Sequence, residues 1–303
     1  MRVGLVQVDG SMPNLALMKL SAWHKSQGDE VVFRTLNHPI DKLYISCIFT
    51  KNAAQAKGIG LLFPEAEVVF GGYGISGVSL PDRVEHTYPD YELYGIDYAM
   101  GYTSRGCIRK CPFCFIPKYE GMIREHSPFE EFWRGQEKMV LLDPNFLASP
   151  KRYEKLEWLR EKGIKINFNQ GLDLRLVNEK AGELLREIKA MTHTFKSRMY
   201  HFAWDNIKDE EKIKRGIEIL KGAGIPVSYM MVYFLIGYDS DFENEMYRFE
   251  ELRKMGVHPF AMVYDKRDPL RRGFSRWVNR RLYKVTPWSE YSYGCIKNGV
   301  PKN

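Results

Sequence analysis

From Tyr98 to Asp265 the chain repeats one pattern, a short apolar run followed by a stretch of strong helix formers. The runs are YAMGYT (98–103), KMVLLD (138–143), IKINF (164–168), RMYHFAW (198–204), VSYMMVYFLIG (227–237) and HPFAMVYD (258–265). Helical stretches follow at 153–163, 179–190, 209–224 and 241–256, and three of them close on glycine, at Gly163, Gly224 and Gly256. Continuous apolar runs alternating with amphipathic helices are the signature of parallel strands covered by helices. Six such steps are too few for a closed eight-stranded barrel. They predict an open, partial (β/α)6 TIM-like barrel over 95–265, with its working face at the C-terminal ends of the strands.

The first 94 residues carry a shorter version of the same grammar. VGLVQV (3–8), VVF (31–33), LYISCIF (43–49) and VVFGG (68–72) read as strands, and NLALMKLSAWHKSQG (14–28) as a helix stopped by Gly28. Together they predict a Rossmann-like parallel α/β domain over 1–94, with PDRVEHTYPDYELYG (81–95) as the connection onward. The remainder, 266–303, is a basic extension with 10 Lys/Arg against 2 Asp/Glu, whereas residues 1–100 hold 8 against 11. No run of 18 apolar residues predicts a membrane span. MRVGLVQVDG reads as a strand and not as a signal peptide. Five cysteines in 303 residues do not make a disulfide scaffold, and a reducing cytoplasm fits them better.

Three of those five cysteines stand in SRGCIRKCPFCFIPKYE, as Cys107, Cys111 and Cys114. Three thiolates on one short loop can hold three corners of a metal centre. A tetrahedral zinc site wants a fourth ligand, for which His126 is the nearest candidate. A [4Fe–4S] cluster on three thiolates instead leaves one iron open, and thiolate ligation suits iron–sulfur chemistry. The strand ends add polar residues: Asp143 and Asn145 in DPN; Gln170, Asp173 and Arg175 in NQGLDLRL; Asp205 and Asn206 in FAWDN; Tyr264 and Asp265.

YTSRGCIRKCPFCFIP resembles the signature of the radical S-adenosylmethionine superfamily, Cys-x3-Cys-x-aromatic-Cys, with Phe113 as the aromatic. The resemblance spans about residues 95–265 and implies a partial (β/α)6 barrel. It implies that Cys107, Cys111 and Cys114 hold a [4Fe–4S] cluster, and that an electron from an external donor cleaves S-adenosyl-L-methionine to methionine and a 5′-deoxyadenosyl radical that takes hydrogen from a substrate. It further implies that Asp143 and Asn145 meet the cofactor's amino group, although DPN departs from the family's Gly-Gly-Glu-like segment. Gln170, Asp173 and Arg175 would contact its carboxylate or the substrate. Asp205 and Asn206 would bind ribose hydroxyls, and Gly237 and Phe113 would lie beside adenine.

A small α/β domain before such a barrel resembles the cobalamin-binding branch of the superfamily. The Asp-x-His-x-x-Gly motif is missing: His24 has Ala22 in place of the Asp. A degenerate domain is therefore expected ahead of bound cobalamin, with the glycines of GGYGISG (71–77) a weak signal for a phosphate or cofactor tail. The related methylthiotransferases would need three more cysteines in that domain, and only Cys47 is there. Cys295 stands alone near the end. In KRDPLRRGFSRWVNRRLYK (266–284) Arg276, Arg280 and Lys284 recur at helical spacing with Trp277 and Tyr283 between them. That pattern can serve a nucleic acid or a solvated helix packed on the barrel. The plainer alternative to a radical enzyme is a cysteine-held metal or nucleic-acid-binding module without radical catalysis.

Overall fold

The computed structural model describes residues 1–34, 39–77 and 79–291. They form two compact units, Met1–Tyr102 with Ser127–Met139, and Thr103–His126 with the chain from Val140 onward.

In the first unit β1 (Arg2–Gln7), α1 (Leu15–Ser26), β2 (Glu30–Phe33), β3 (Lys42–Ser46), α2 (Ala53–Leu61), β4 (Glu67–Gly71) and α3 (Asp82–Glu85) follow one another. The strands make a parallel sheet in the order β2–β1–β3–β4. Val3 and Leu5 of β1 pack with Leu17 and Leu20 of α1 and Val84 of α3, while Val6 packs with Leu43, Ile45 and Ala56. Burial of the central strands β1 and β3 is why they read as nearly unbroken apolar runs, while the edge strands β2 and β4 are half-buried. Gly4 stands within β1, where a side chain would meet Leu43 at 2.8 Å. Asn14 caps α1, accepting from the Leu17 amide at 3.1 Å. The helix α2 has no counterpart among the expected elements. Its two glycines, Gly58 and Gly60, weaken the helical signal, and Gly60 is there because Phe70 lies where a Cβ would go. A short strand β5 (Ala99–Gly101) ends this stretch of the unit.

The second unit opens with an antiparallel pair, β6 (Ser104–Arg105) and β7 (Arg124–Glu125), separated by the cysteine segment and the short helix α4 (Ile116–Tyr119). Then come β8 (Lys138–Leu141), α5 (Arg152–Lys162), β9 (Lys165–Phe168), α6 (Glu179–Glu187), β10 (Lys189–Ala190), β11 (Tyr200–Ala203), α7 (Glu210–Gly222), β12 (Met230–Ile236), α8 (Phe242–Lys254), β13 (His258–Val263) and α9 (Pro269–Asn279). Every strand–helix step expected from Lys138 onward is present within a few residues.

The expected open (β/α)6 barrel is seen only in the coarser sense of parallel strands alternating with helices. Among the described residues the architecture is mixed α/β with several parallel sheets, none closed into a barrel: β10–β9–β8 lie in one and β11–β12–β13 in another. A single parallel bridge, Leu172 to Phe202, links the segment after β9 to β11. The break has a local cause. The two residues of β10 pair with Lys165 and Ile166, so they occupy the edge of β9 on which the next long strand would otherwise pair. Beyond Phe168 the chain turns at Gly171, whose φ of +79° few other residues adopt.

Of the two readings of the basic extension, the packed helix is the one observed and the nucleic-acid surface is not. Trp277 is 3 % exposed, 5.0 Å from the ring of Phe249 and 5.9 Å from that of Phe274, and its indole N–H donates to Thr286 O at 2.8 Å. Tyr283 sets its edge against Phe249 and Trp277. The two rings that a nucleic-acid surface would stack on bases are spent in an aromatic core, as the packed-helix reading has it, so residues 266–284 do not present the aromatic half of such a surface. No helix among the described residues is long and apolar enough to cross a membrane.

Candidate functional site

The C-terminal ends of β8, β9, β11 and β13 carry the polar residues singled out above, and the cysteine segment reaches two of them, Asn145 and Asp173. Three carboxylates do the joining. Asp143, after β8, is buried and accepts four hydrogen bonds: from the Thr103 amide (2.8 Å) and hydroxyl (2.6 Å), and from the Ser104 amide (2.7 Å) and hydroxyl (2.6 Å). Burial pushes its carboxyl above the usual range, with Ser104 and Thr103 pulling the other way. Glu120, 8 % exposed, accepts from Arg105 Nε at 2.9 Å and the Gly106 amide at 3.0 Å. Asp173, after β9, receives a two-pronged contact from Arg175, Nε to Oδ1 at 2.7 Å and Nη2 to Oδ2 at 3.0 Å, and a further bond from Arg109 Nε at 3.0 Å. Burial raises the Asp173 carboxyl, but Arg175 and Arg109 outweigh it and hold it below the ordinary range.

The sulfurs meet this frame at one point. Cys107 Sγ accepts from the Arg109 amide at 3.3 Å and lies 3.5 Å from Asn145 Nδ2, which is 3.3 Å from Asp173. The Asn145 side-chain oxygen is buried and has no hydrogen-bond partner among the described residues. Cys107, Cys111 and Cys114 line one cavity of about 350 Å³ with Arg109, Lys110 and Lys118. Burial raises the thiols of Cys111 and Cys114, partly offset at Cys111 by the Arg175 charge. Phe113 lies edge-on to Tyr238 at 5.4 Å, and Tyr238 to Tyr264 at 4.8 Å.

The other expected residues have local jobs. Arg175 also binds Asp209, at 2.7 Å. Gln170 is exposed on the turn before Gly171. Asp205 accepts from the Leu235 amide at 3.1 Å, and burial raises its carboxyl. Asn206 accepts from the Lys208 amide at 2.9 Å, opening a turn. Gly237 has φ +82°, donates to Glu245 at 2.7 Å, and stands where a side chain would meet Arg271 at 2.7 Å. Asp265 pairs with exposed Arg267, which holds its carboxyl down at about 2. His126 is held through its amide on Thr103 O.

These placements overturn the radical S-adenosylmethionine reading. It rested on an assembled three-thiolate centre. Among the described residues no group of three or more His, Cys, Asp or Glu side chains is arranged to hold a metal ion. The [4Fe–4S] cluster is therefore not supported, nor are the cleavage of S-adenosyl-L-methionine and the external electron donor that depended on it. The groups assigned to the nucleotide are largely spent within the fold: Asp143 on four donors, Asp173 and Arg175 on each other, and Gly237 on Glu245 and Arg271. Cobalamin fares no better. Both ring nitrogens of buried His24 are taken, Nδ1 by Asp29 at 2.7 Å and Nε2 by Tyr44 at 3.1 Å. The glycine run serves close packing, since a side chain at Gly72 would fall 2.4 Å from Cys47 O, and one at Gly74 2.7 Å from the Phe49 carbonyl carbon. Cys295 lies outside the described residues.

Three participants were missed by sequence reasoning. Arg109, between the first two cysteines, reaches Asp173; Arg105 and Glu120, which bracket the cysteines, pair with each other. Their one visible signal is opposite charge on either side of the cysteine run. No protein-family model matches the chain, and no curated protein matches it either.

Proposed function

We propose that the chain is a cysteine-held binding module, in which Cys107, Cys111 and Cys114 take up a thiophilic metal ion at the strand ends. The observation that carries this reading is that three thiols from one eight-residue span line a single cavity. Burial raises the Cys111 and Cys114 thiols and the three sulfurs are not arrayed around one point, so uptake requires the loop to draw them together and shed protons. That coupling of binding to deprotonation and local ordering is usual for thiolate sites. Arg109, Lys110 and Lys118 around the same cavity would offset the negative charge of three thiolates. The unpaired oxygen of Asn145 is a buried acceptor beside Cys107, of a kind that a ligand or a bound water commonly satisfies. Soft sulfur donors favour zinc, cadmium or cuprous ions over magnesium or calcium.

On this reading the two parallel sheets of the second unit are an opened-out part of a (β/α)6 barrel, whose strand ends form the floor beneath the loop. The four cysteines described are unbridged, which suits a reducing compartment such as the cytoplasm. The test is anaerobic titration of the reduced chain with Co(II). Sulfur-to-cobalt charge-transfer bands at one metal per chain, lost in Cys111→Ser and strengthening as pH rises, are expected. A chain whose three loop thiols stay open to alkylation in excess Co(II), with no such bands, overturns the reading.

A further inference from the structure

The cysteine segment is closed at its base by contacts that no reading of the cysteines alone would reveal. On the way in, Arg105 and the Gly106 amide both donate to the Glu120 carboxylate, Arg105 through Nε and through Nη2 at 3.1 Å. On the way out, the Glu120 carbonyl accepts from Arg124 Nη1. One pair of backbone atoms completes the closure, the Cys107 amide donating to Gly121 O at 3.2 Å. Gly106 holds φ +80°, and a side chain there would fall 2.2 Å from Met122 O, so the two ends of the segment run in backbone contact. A single buried carboxylate thus ties the residues just before the first cysteine to those just after the last.

We infer that Glu120 is the positioning residue of the cysteine loop: it fixes the span on which Cys107, Cys111 and Cys114 stand and so lowers the ordering needed to bring their sulfurs together. The inference rests on the metal-binding reading above. The physical argument is pre-organisation. Holding a loop's ends removes closure entropy that binding would otherwise have to overcome. Residues behind a ligand set commonly alter metal affinity by about tenfold to a hundredfold.

The test uses the whole reduced chain, with Co(II) as the probe under anaerobic conditions. Glu120→Gln keeps the shape of the side chain and removes its charge. It is expected to stay folded by circular dichroism, to lose roughly tenfold to a hundredfold in Co(II) affinity, and to shift the sulfur-to-cobalt bands. Arg105→Lys keeps the charge but loses the two-pronged contact, and should fall between wild type and Glu120→Gln. Unchanged affinity and bands in Glu120→Gln overturn the inference. Should the wild type itself give no thiolate bands, the metal-binding reading fails by itself, and a metal-free arm decides the role of Glu120. In that arm, alkylation followed cysteine by cysteine should quicken at Cys107 and Cys114 in Glu120→Gln and stay unchanged at Cys47; equal rates at the loop cysteines overturn the inference. If Glu120→Gln does not fold, Arg105→Lys is judged by the same two criteria.

Discussion

Both units place aspartates at the C-terminal ends of parallel strands with cysteine nearby, after β3 in the first and between the antiparallel β6 and β7 in the second, and the two arrangements do opposite things. In the first unit, Cys47 follows β3 and is fully buried, its thiol 3.5 Å from Asp9 and 3.4 Å from Phe49 O. Asp9 is saturated by the Ile48 and Phe49 amides and by Asn52. Burial raises the Asp9 carboxyl, but those donors outweigh it and hold it low. In the second unit, the three loop cysteines are half-buried around open volume while the carboxylates beside them hold the frame. Residue type does not separate a site from a core here. The separation lies in whether the sulfur faces space or packed backbone.

The contrast is easiest to break by thiol chemistry. In the native chain Cys47 should react with iodoacetamide roughly a thousandfold more slowly than Cys107, equivalent to an opening cost of about 4 kcal/mol. Peptide-resolved mass spectrometry reads this directly, and comparable rates would erase the distinction. Next in size is the carboxylate frame. Asp143→Ala strands two amides and two hydroxyls in the interior and should cost on the order of 4 kcal/mol in urea unfolding, since each buried orphan costs about 1–3 kcal/mol. A loss below about 1 kcal/mol would mean that water replaces the carboxylate without difficulty.

Two glycines sharpen the comparison at somewhat smaller cost. Gly72→Ala forces a Cβ against Cys47 O at φ +90°, and Gly106→Ala forces one against Met122 O at φ +80°. Each should destabilise by about 2–3 kcal/mol. Gly106→Ala should also quicken alkylation of the loop cysteines, whereas Gly72→Ala should leave it alone; the same response from both would show that the loop is not locally built.

A last prediction concerns acid. Burial, with His193 adding to it, lowers His201 from 6.5 to about 4. The unfolded chain therefore binds a proton that the folded chain refuses, and stability falls as pH drops from about 6.5 toward 4, by at most on the order of 3 kcal/mol. His201→Phe, beside the stacked ring of Tyr233, should flatten that part of the pH–stability curve. An unchanged slope would assign the loss to carboxylates instead.

Much of the fold was legible because its signals are local. The runs that became β8, β9, β11, β12 and β13 were bounded to within a few residues, and so were α5, α7 and α8, since apolar periodicity and closing glycines act over neighbouring residues. Alternation along β12, with Met230, Val232, Phe234 and Ile236 buried and Met231, Tyr233 and Leu235 half-exposed, was hidden because both faces carry apolar residues. The site was legible in place but not in role. Asp143, Asn145, Asp173 and Arg175 do gather at the strand ends, yet several of their partners come from segments 28 to 64 residues away, such as Asn145 with Asp173 and Arg109 with Asp173.

The sequence by itself determined the order of the main strands and helices apart from α2, the clustering of three cysteines in one segment, and the polar residues at the strand ends, because these follow from propensity, periodicity and spacing along the chain. Tertiary structure alone decided that the strands divide into separate sheets, that Trp277 and Tyr283 are core, that His24 is fully bonded, and that the loop sulfurs face a cavity without forming a metal centre. Those outcomes turn on which distant groups satisfy one another's charge and hydrogen bonds, and a buried polar group takes the partner that packing brings to it.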